Sequence, residues 1–371
     1  MANRLISADD HVDLSHDKIR SFLDPRFHDD YTDALKAFSA SMRAMRSSET
    51  NQRWREQQGL QGASETNMQN RPTTGNPAWG RTGHTDAQSR LRDMDTDGVA
   101  ASSTYCEVSA FRYLYLVKNG WREATRAFNT ALQDWASADA TRLIVSFQIP
   151  IHDIDAAVAE VTWARETGGK SLQLPLFPVE LGLPDYWDSR YDPLWRAISG
   201  SGLPICFHIG LNTQLEGLAE RDPTPQKGIF VPMVALSTGE PLGMLVLTGL
   251  LERFPDLKIL FVEPGVGWVA WWLDIADDLA ARQGYEFPGL KKAPSEYFRR
   301  SICVTFIDEP DVVKHARDII GVQNVLWSSD YPHPVTSWPR SQKIAEEVTQ
   351  GVTDEERRLI LSGNAERVWN L

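Results

Sequence analysis

Eight short apolar runs, separated by segments of helical period, set the first limit on how this chain can fold. They cover residues 5–8, 99–104, 143–149, 171–174, 204–207, 257–262, 302–306 and 324–328. Runs this short and this apolar are expected of strands buried on both faces, which is the condition of a parallel sheet covered by helices. Between them, residues 154–167 place Ile154, Ala157, Val158, Val161 and Ala164 on one stripe, with Asp153 as the expected N-cap and Gly168-Gly169 as the stop. Residues 121–138 and 267–283 read as further helices. Residues 353–371 close the chain with a helical pattern, opened by Thr353 with Glu356 three positions on. Strands alternating with helices from one end to the other predict a (β/α)8 barrel rather than an open sheet.

All 371 residues are expected to form one barrel domain, 1–371, since barrels with insertions reach this length. Two segments break the alternation. Residues 39–86 are polar and follow the first strand, so in a barrel they form an insertion at the mouth. Residues 211–240 follow the fifth strand and read as a long loop that shapes a pocket. A net charge of −12 argues against nucleic acid or an anionic membrane surface as partner. The N-terminus leads straight into a strand without a leader pattern, and the apolar stretch 241–251 is shorter than the roughly 20 residues a bilayer needs. The expectation is a soluble, cytoplasmic protein. Cys106, Cys206 and Cys303 lie far apart and form no CxxC, so they are expected to be buried thiols.

Chemistry is expected where apolar runs end in His or carboxylate residues, because barrel active sites gather at the C-terminal ends of the strands. The first run leads into Asp9-Asp10-His11, the fifth into His208, the sixth into Glu263, and the eighth into Asp330 and His333. Imidazoles and carboxylates in one mouth suit zinc, manganese or iron, one ion or two. Asp13 is a further candidate ligand, and Arg81 or Arg90 could receive a substrate carboxylate. Gly265-Val266-Gly267-Trp268-Val269-Ala270 fits a dinucleotide fingerprint on paper. No second strand with a terminal acid follows it at the required distance, which argues against that reading. No GxSxG is present for a serine nucleophile.

Several stretches together resemble one family. They are Ile6-Ser7-Ala8-Asp9-Asp10-His11-Val12, Arg90-Leu91-Arg92-Asp93-Met94-Asp95, Pro204-Ile205-Cys206-Phe207-His208, Phe254-Pro255-Asp256-Leu257-Lys258, Trp327-Ser328-Ser329-Asp330-Tyr331-Pro332-His333 and Gly363-Asn364-Ala365-Glu366-Arg367. In this order they resemble the amidohydrolase-related family that includes aminocarboxymuconate-semialdehyde decarboxylase and gamma-resorcylate decarboxylase. The resemblance implies metal ligands at Asp9, His11, His208 and Asp330. It also implies a small carboxylated substrate, a homodimer, and hydrolysis or decarboxylation. From their places at the strand ends, Glu263, His333 and Asp330 are the expected catalytic residues, Glu263 moving a proton and His333 polarising or orienting the substrate. The family's decarboxylases carry a His after the sixth strand, and this chain has Glu263 there. With Glu263 as an additional ligand, the site is also similar to that of dinuclear non-haem iron or iron–manganese monooxygenases. A non-catalytic metal-binding subunit of a paralogous complex is the other alternative.

Overall fold

A computed structural model describes residues 3–44, 53–54, 56–59, 80–106, 110–210, 212–224 and 228–371. All eight expected runs are strands: β1 Leu5–Val12, β2 Val99–Cys106, β3 Leu143–Gln148, β4 Ser171–Gln173, β5 Ile205–His208, β6 Ile259–Val262, β7 Ile302–Phe306 and β8 Val325–Trp327. Each pairs in parallel with the next, in the order β1 to β8. The ring closes beyond the end of β8. There Asp330 N donates to Asp9 O at 2.8 Å and His11 N donates to Tyr331 O at 2.7 Å, and Asp10 and Tyr331 form a parallel bridge. The expected (β/α)8 barrel is the observed fold.

Side-chain alternation explains the double burial. Ile6, Ala8, Ala101, Tyr105, Ile144, Cys206, Leu260, Val262, Cys303 and Leu326 fill the barrel interior. Val145, Phe147, Phe207, Phe261, Val304, Phe306, Val325 and Trp327 point the other way, into the layer shared with the helices. Ala365, Val368 and Trp369 join the interior cluster, so the C-terminal helix Asn364–Trp369 plugs one end. The opposite end, where the strands finish, is left as the mouth. The three cysteines are buried and form no disulfide.

The helices follow their signals where the periodicity is clear. Ile154–Glu166 is capped by Asp153, whose side chain accepts from Ala156 N. Trp121–Ala136 and Gly267–Gln283 fall where expected. Thr353 and Glu356 form a capping box, but the helix they open does not run to the end. It passes through a wider turn at Leu359–Gly363 before Asn364–Trp369. Residues 211–240 are a correction. Instead of a loop they carry the helices Thr213–Arg221 and Phe230–Ser237 and the start of Gly239–Leu247. Phe230–Ser237 is apolar nearly all round, with Val234 its buried residue, so it offers no amphipathic stripe to read. Together with Gly239–Leu247 it makes an 18-residue stretch of mean hydropathy 1.5, long and apolar enough by composition to cross a membrane. A turn at Thr238 divides the stretch, and Leu242, Leu245 and Val246 pack into the core. Most of the expected insertion 39–86 lies outside the described residues; its two ends are the helix His28–Ala44 and the turn Thr82–His84.

Asn364 holds the plug in place. It is fully buried, and its Nδ2 donates to Val322 O and Val325 O, each at 2.8 Å. Asn364→Leu strips both carbonyls of their donor in a buried setting. It should lower the unfolding free energy in urea by about 2–3 kcal/mol. A change below about 0.5 kcal/mol would show that the plug is held by packing alone.

Candidate metal centre

Strand β1 carries one more residue than its partner at the mouth. Ser7 lies opposite Ser102 and Asp10 opposite Thr104, so three steps on β1 match two on β2. Such a bulge reverses the side-chain phase. Ile6 and Ala8 point into the barrel, and after the bulge Asp9 and His11 do so too. Asp10 turns outward. It accepts from Ser7 Oγ at 2.9 Å, Ser102 Oγ at 2.5 Å, Ser329 Oγ at 2.6 Å and Tyr331 N at 3.0 Å. Arg90 lies 3.8 Å from it and also donates to His11 O and to Gly83 O. Arg90 is therefore a buried brace behind the site and not a substrate-binding group. Arg81 is likewise committed, paired with Asp93 and stacked 4.6 Å over Trp338.

The inward groups converge. His11 Nε2 lies 3.5 Å from Asp9 Oδ1 and 3.1 Å from Asp330 Oδ1. His208 Nε2 lies 3.4 Å from Asp9 Oδ1 and 3.8 Å from Glu263 Oε2. His333 Nδ1 lies 2.9 Å from Asp330 Oδ1, and its ring lies 3.9 Å from that of His11. Two groups each bring their ligand atoms within 4.8 Å of one another: Asp9, His11, His208 and Glu263, and His11, Glu263, Asp330 and His333. They share His11 and Glu263, so they form one centre. Asp13 is exposed and belongs to neither group.

Both backbones that deliver carboxylates from the later strands are unusual. Glu263 has φ 65° and Asp330 φ 51°; among the described residues the third non-glycine in this region is the helix cap Asn370. Left-handed backbone at ordinary residues costs energy and persists where the surroundings impose it. For Glu263 that surrounding is Thr305, whose Oγ accepts from Glu263 N at 2.7 Å. For Asp330 it is the seam with β1. Ser7 and Ser329 lie inside the family-like stretches but are not among the expected site residues, and Thr305 lies in none of those stretches.

The centre has more buried acceptors than donors. Both Asp9 oxygens, Asp330 Oδ2, Glu263 Oε2, His208 Nε2 and His11 Nδ1 are buried without a hydrogen-bond partner, while Asp330 Oδ1 faces the His11 and His333 rings. His208 Nδ1 lies 3.1 Å from Ile209 O. A carbonyl only accepts, so Nδ1 carries the proton and Nε2 faces the carboxylates with a lone pair or a second proton. Positive charge is what this arrangement lacks, and a divalent cation fits it. The titrations among the protein's own groups say the same. Burial opposes charge on His208, yet Asp9 and Glu263 outweigh it and raise the imidazole to about 9. Burial, then Asp330 and Asp9, push Glu263 up to about 8. Burial and His333 lower His11.

Residues 26–371 match the model of an amidohydrolase family. Solved structures with the same fold include the 5-carboxyvanillate decarboxylase of Sphingomonas paucimobilis, at 20% identity and a TM-score of 0.71 over 100% of both chains. The 5-carboxyvanillate decarboxylase of Novosphingobium aromaticivorans, complexed with manganese and 4-hydroxy-3-methoxy-5-nitrobenzoic acid, matches at 17% identity and a TM-score of 0.70, over 100% of this chain and 96% of that one. The dihydroxybenzoic acid decarboxylase of Polaromonas sp. JS666, with bound manganese and 2-nitroresorcinol, matches at 17% and 0.65, over 100% and 97%.

Asp10 separates the support of the centre from the centre itself. Asp10→Ala removes the shared acceptor of three hydroxyls and one N–H and the buried partner of Arg90, and should cost about 3 kcal/mol in denaturant unfolding. A loss under about 1 kcal/mol would mean that the seam does not depend on this carboxylate.

Proposed function

The chain belongs to the amidohydrolase family, and on that premise we propose that it is a metal-dependent decarboxylase of a small carboxylated aromatic compound. Asp9, His11, His208 and Asp330 hold one divalent cation, manganese or zinc. The observation that carries this reading is the convergence of buried, unpartnered carboxylate and imidazole atoms at the mouth. The decarboxylases of like fold add the substrate class. When bound, the cation supplies an electrophilic anchor for the substrate's carboxylate or ring oxygen.

Exposure divides the labour among the protein's own carboxylates. Asp9 and Asp330 side chains are closed off, at 0%, whereas that of Glu263 is 19% exposed and reachable from the mouth. Among the protein's own groups, burial and then Asp330 and Asp9 raise the Glu263 carboxyl, which suits it to carry a proton. The bond from ring carbon to carboxylate breaks, its electron pair stays on the carbon, and the Glu263 proton is delivered there as CO2 leaves. Solvent then returns a proton to Glu263. His333, fixed against Asp330 and stacked beside His11, orients the ring. This places Glu263 as the acid at the position where the family's decarboxylases carry His. It also favours one cation over two, because the two ligand groups overlap instead of standing apart.

Elemental analysis of native protein should find about one manganese or zinc per chain, with CO2 released from a hydroxylated benzoate. Two iron ions per chain with oxygen uptake on turnover would instead select the oxygenase alternative. Glu263→Gln should keep its metal and lose about 10²–10⁴ in rate; metal and rate both unchanged would remove Glu263 from the mechanism. Cation binding should also release protons. His208, raised to about 9, holds a proton at pH 7 that the ion must displace. Affinity therefore climbs as pH rises towards 9 and levels off above it. Calorimetry in buffers of different ionisation enthalpy measures this, and a proton count near zero at pH 7 would rule out His208 as a ligand.

A further inference from the structure

The cation ligands come from β1, β5 and the turn after β8, and Glu263 follows β6, so the sector of β2, β3 and β4 contributes no candidate ligand. At that side of the mouth the interior changes from apolar to polar. On β3, Ile144 belongs to the interior cluster and Ser146 and Gln148 follow at the two-residue spacing of inward positions. Ser146 Oγ donates to Ser171 Oγ at 2.8 Å, which in turn lies 3.2 Å from the interior Cys206 Sγ. One layer nearer the mouth, Gln148 Nε2 donates to Gln173 Oε1 at 2.7 Å. Two residues beyond Cys206 stands His208, so the amide pair and the candidate ligand share the top of the barrel.

Gln148 is 3% exposed and Gln173 2%. The two amide hydrogens of Gln148 are directed to Gln173 Oε1 and to Cys106 Sγ, 3.6 Å away. Its Oε1 is buried and has no partner. A buried amide oxygen without a donor costs energy, and the protein spends considerable structure on keeping it there. Asn129, fully buried, clamps the main chain of Gln148 from both sides: Gln148 N donates to Asn129 Oδ1 at 2.8 Å and Asn129 Nδ2 donates to Gln148 O at 2.9 Å. Asn129 Nδ2 also donates to Glu160 Oε1 at 2.8 Å, and Glu160 is gripped by Arg126 at 2.7 Å. A fixed, unpartnered acceptor in the sector that holds no candidate ligand is what selects for a hydrogen-bond donor on a bound molecule.

We propose that Gln148, presented by Gln173 and clamped by Asn129, is a specificity-determining residue that accepts a hydrogen bond from a hydroxyl or amino substituent on the substrate ring. This deepens the decarboxylase reading and rests on it. The substrate is then an aromatic acid with a donor substituent on the side away from the cation, and a ring that is bare or bears only ethers is rejected.

The test is binding rather than turnover. Manganese-loaded protein is titrated with 2-, 3- and 4-hydroxybenzoate and with each fluorobenzoate of the same pattern, which keeps the size and removes the donor. At one ring position the hydroxyl compound should bind about tenfold to a hundredfold tighter. Gln148→Met should shrink that ratio to within about threefold at unchanged manganese content. Gln148→Glu, which keeps an acceptor while Gln173 turns its amide to donate, should retain the preference. An undiminished ratio in Gln148→Met overturns the inference, as does a wild-type protein that binds both series alike. If no benzoate binds at millimolar concentration although manganese is held, the aromatic-acid reading fails and this inference fails with it.

Discussion

The seam between β1 and the segment after β8 is the joint on which the rest of the structure depends. Seven of the eight strand contacts are parallel ladders, the first of them carrying the β1 bulge. The eighth is made by residues that also face the candidate metal centre: Asp330 N binds Asp9 O and His11 N binds Tyr331 O. Closing the barrel and assembling the centre are therefore one event. Asp10 makes the coupling tight, since a single outward carboxylate gathers hydroxyls from β1, β2 and the post-β8 segment. Without that closure Asp9 and Asp330 would not both be held against His11 Nε2.

A concentration of unsatisfied charge follows from this closure. Carboxylates at the mouth are brought together by backbone bonds that ignore their repulsion, and two of them sit on left-handed backbone. The fold supplies the energy for this elsewhere, in the doubly buried strands and the helix that plugs the far end. What the centre then requires is positive charge, met in part by a raised His208 and fully by a cation. The exposure of Glu263 against the closure of Asp9 and Asp330 is the asymmetry from which distinct roles can arise.

Much of this was legible from the chain alone. The eight runs showed because strands covered on both faces need apolar residues at every position. Asp9, His11, His208, Glu263, Asp330 and His333 showed because polar groups at the ends of such runs have no packing reason to be there. Elsewhere the pattern misled or was silent. Residues 211–240 looked like a loop because a helix apolar all round has no periodic face. Arg90 looked like a substrate ligand, since nothing local reveals that it reaches His11 O. Asp9 and Asp10 are neighbours of identical chemistry, and no sequence rule says which points inward.

Sequence by itself determined the barrel, the number of its strands and the identity of the groups at its mouth, because burial and side-chain alternation are local consequences of residue type. Only the tertiary structure decided the β1 bulge that sorts Asp9 from Asp10, the closure that joins Asp330 to β1, and the Asn129 clamp that leaves Gln148 with an unpartnered oxygen. Those depend on pairing register and on contacts between residues far apart in the chain. Register is a property of two strands at once, which neither strand encodes alone.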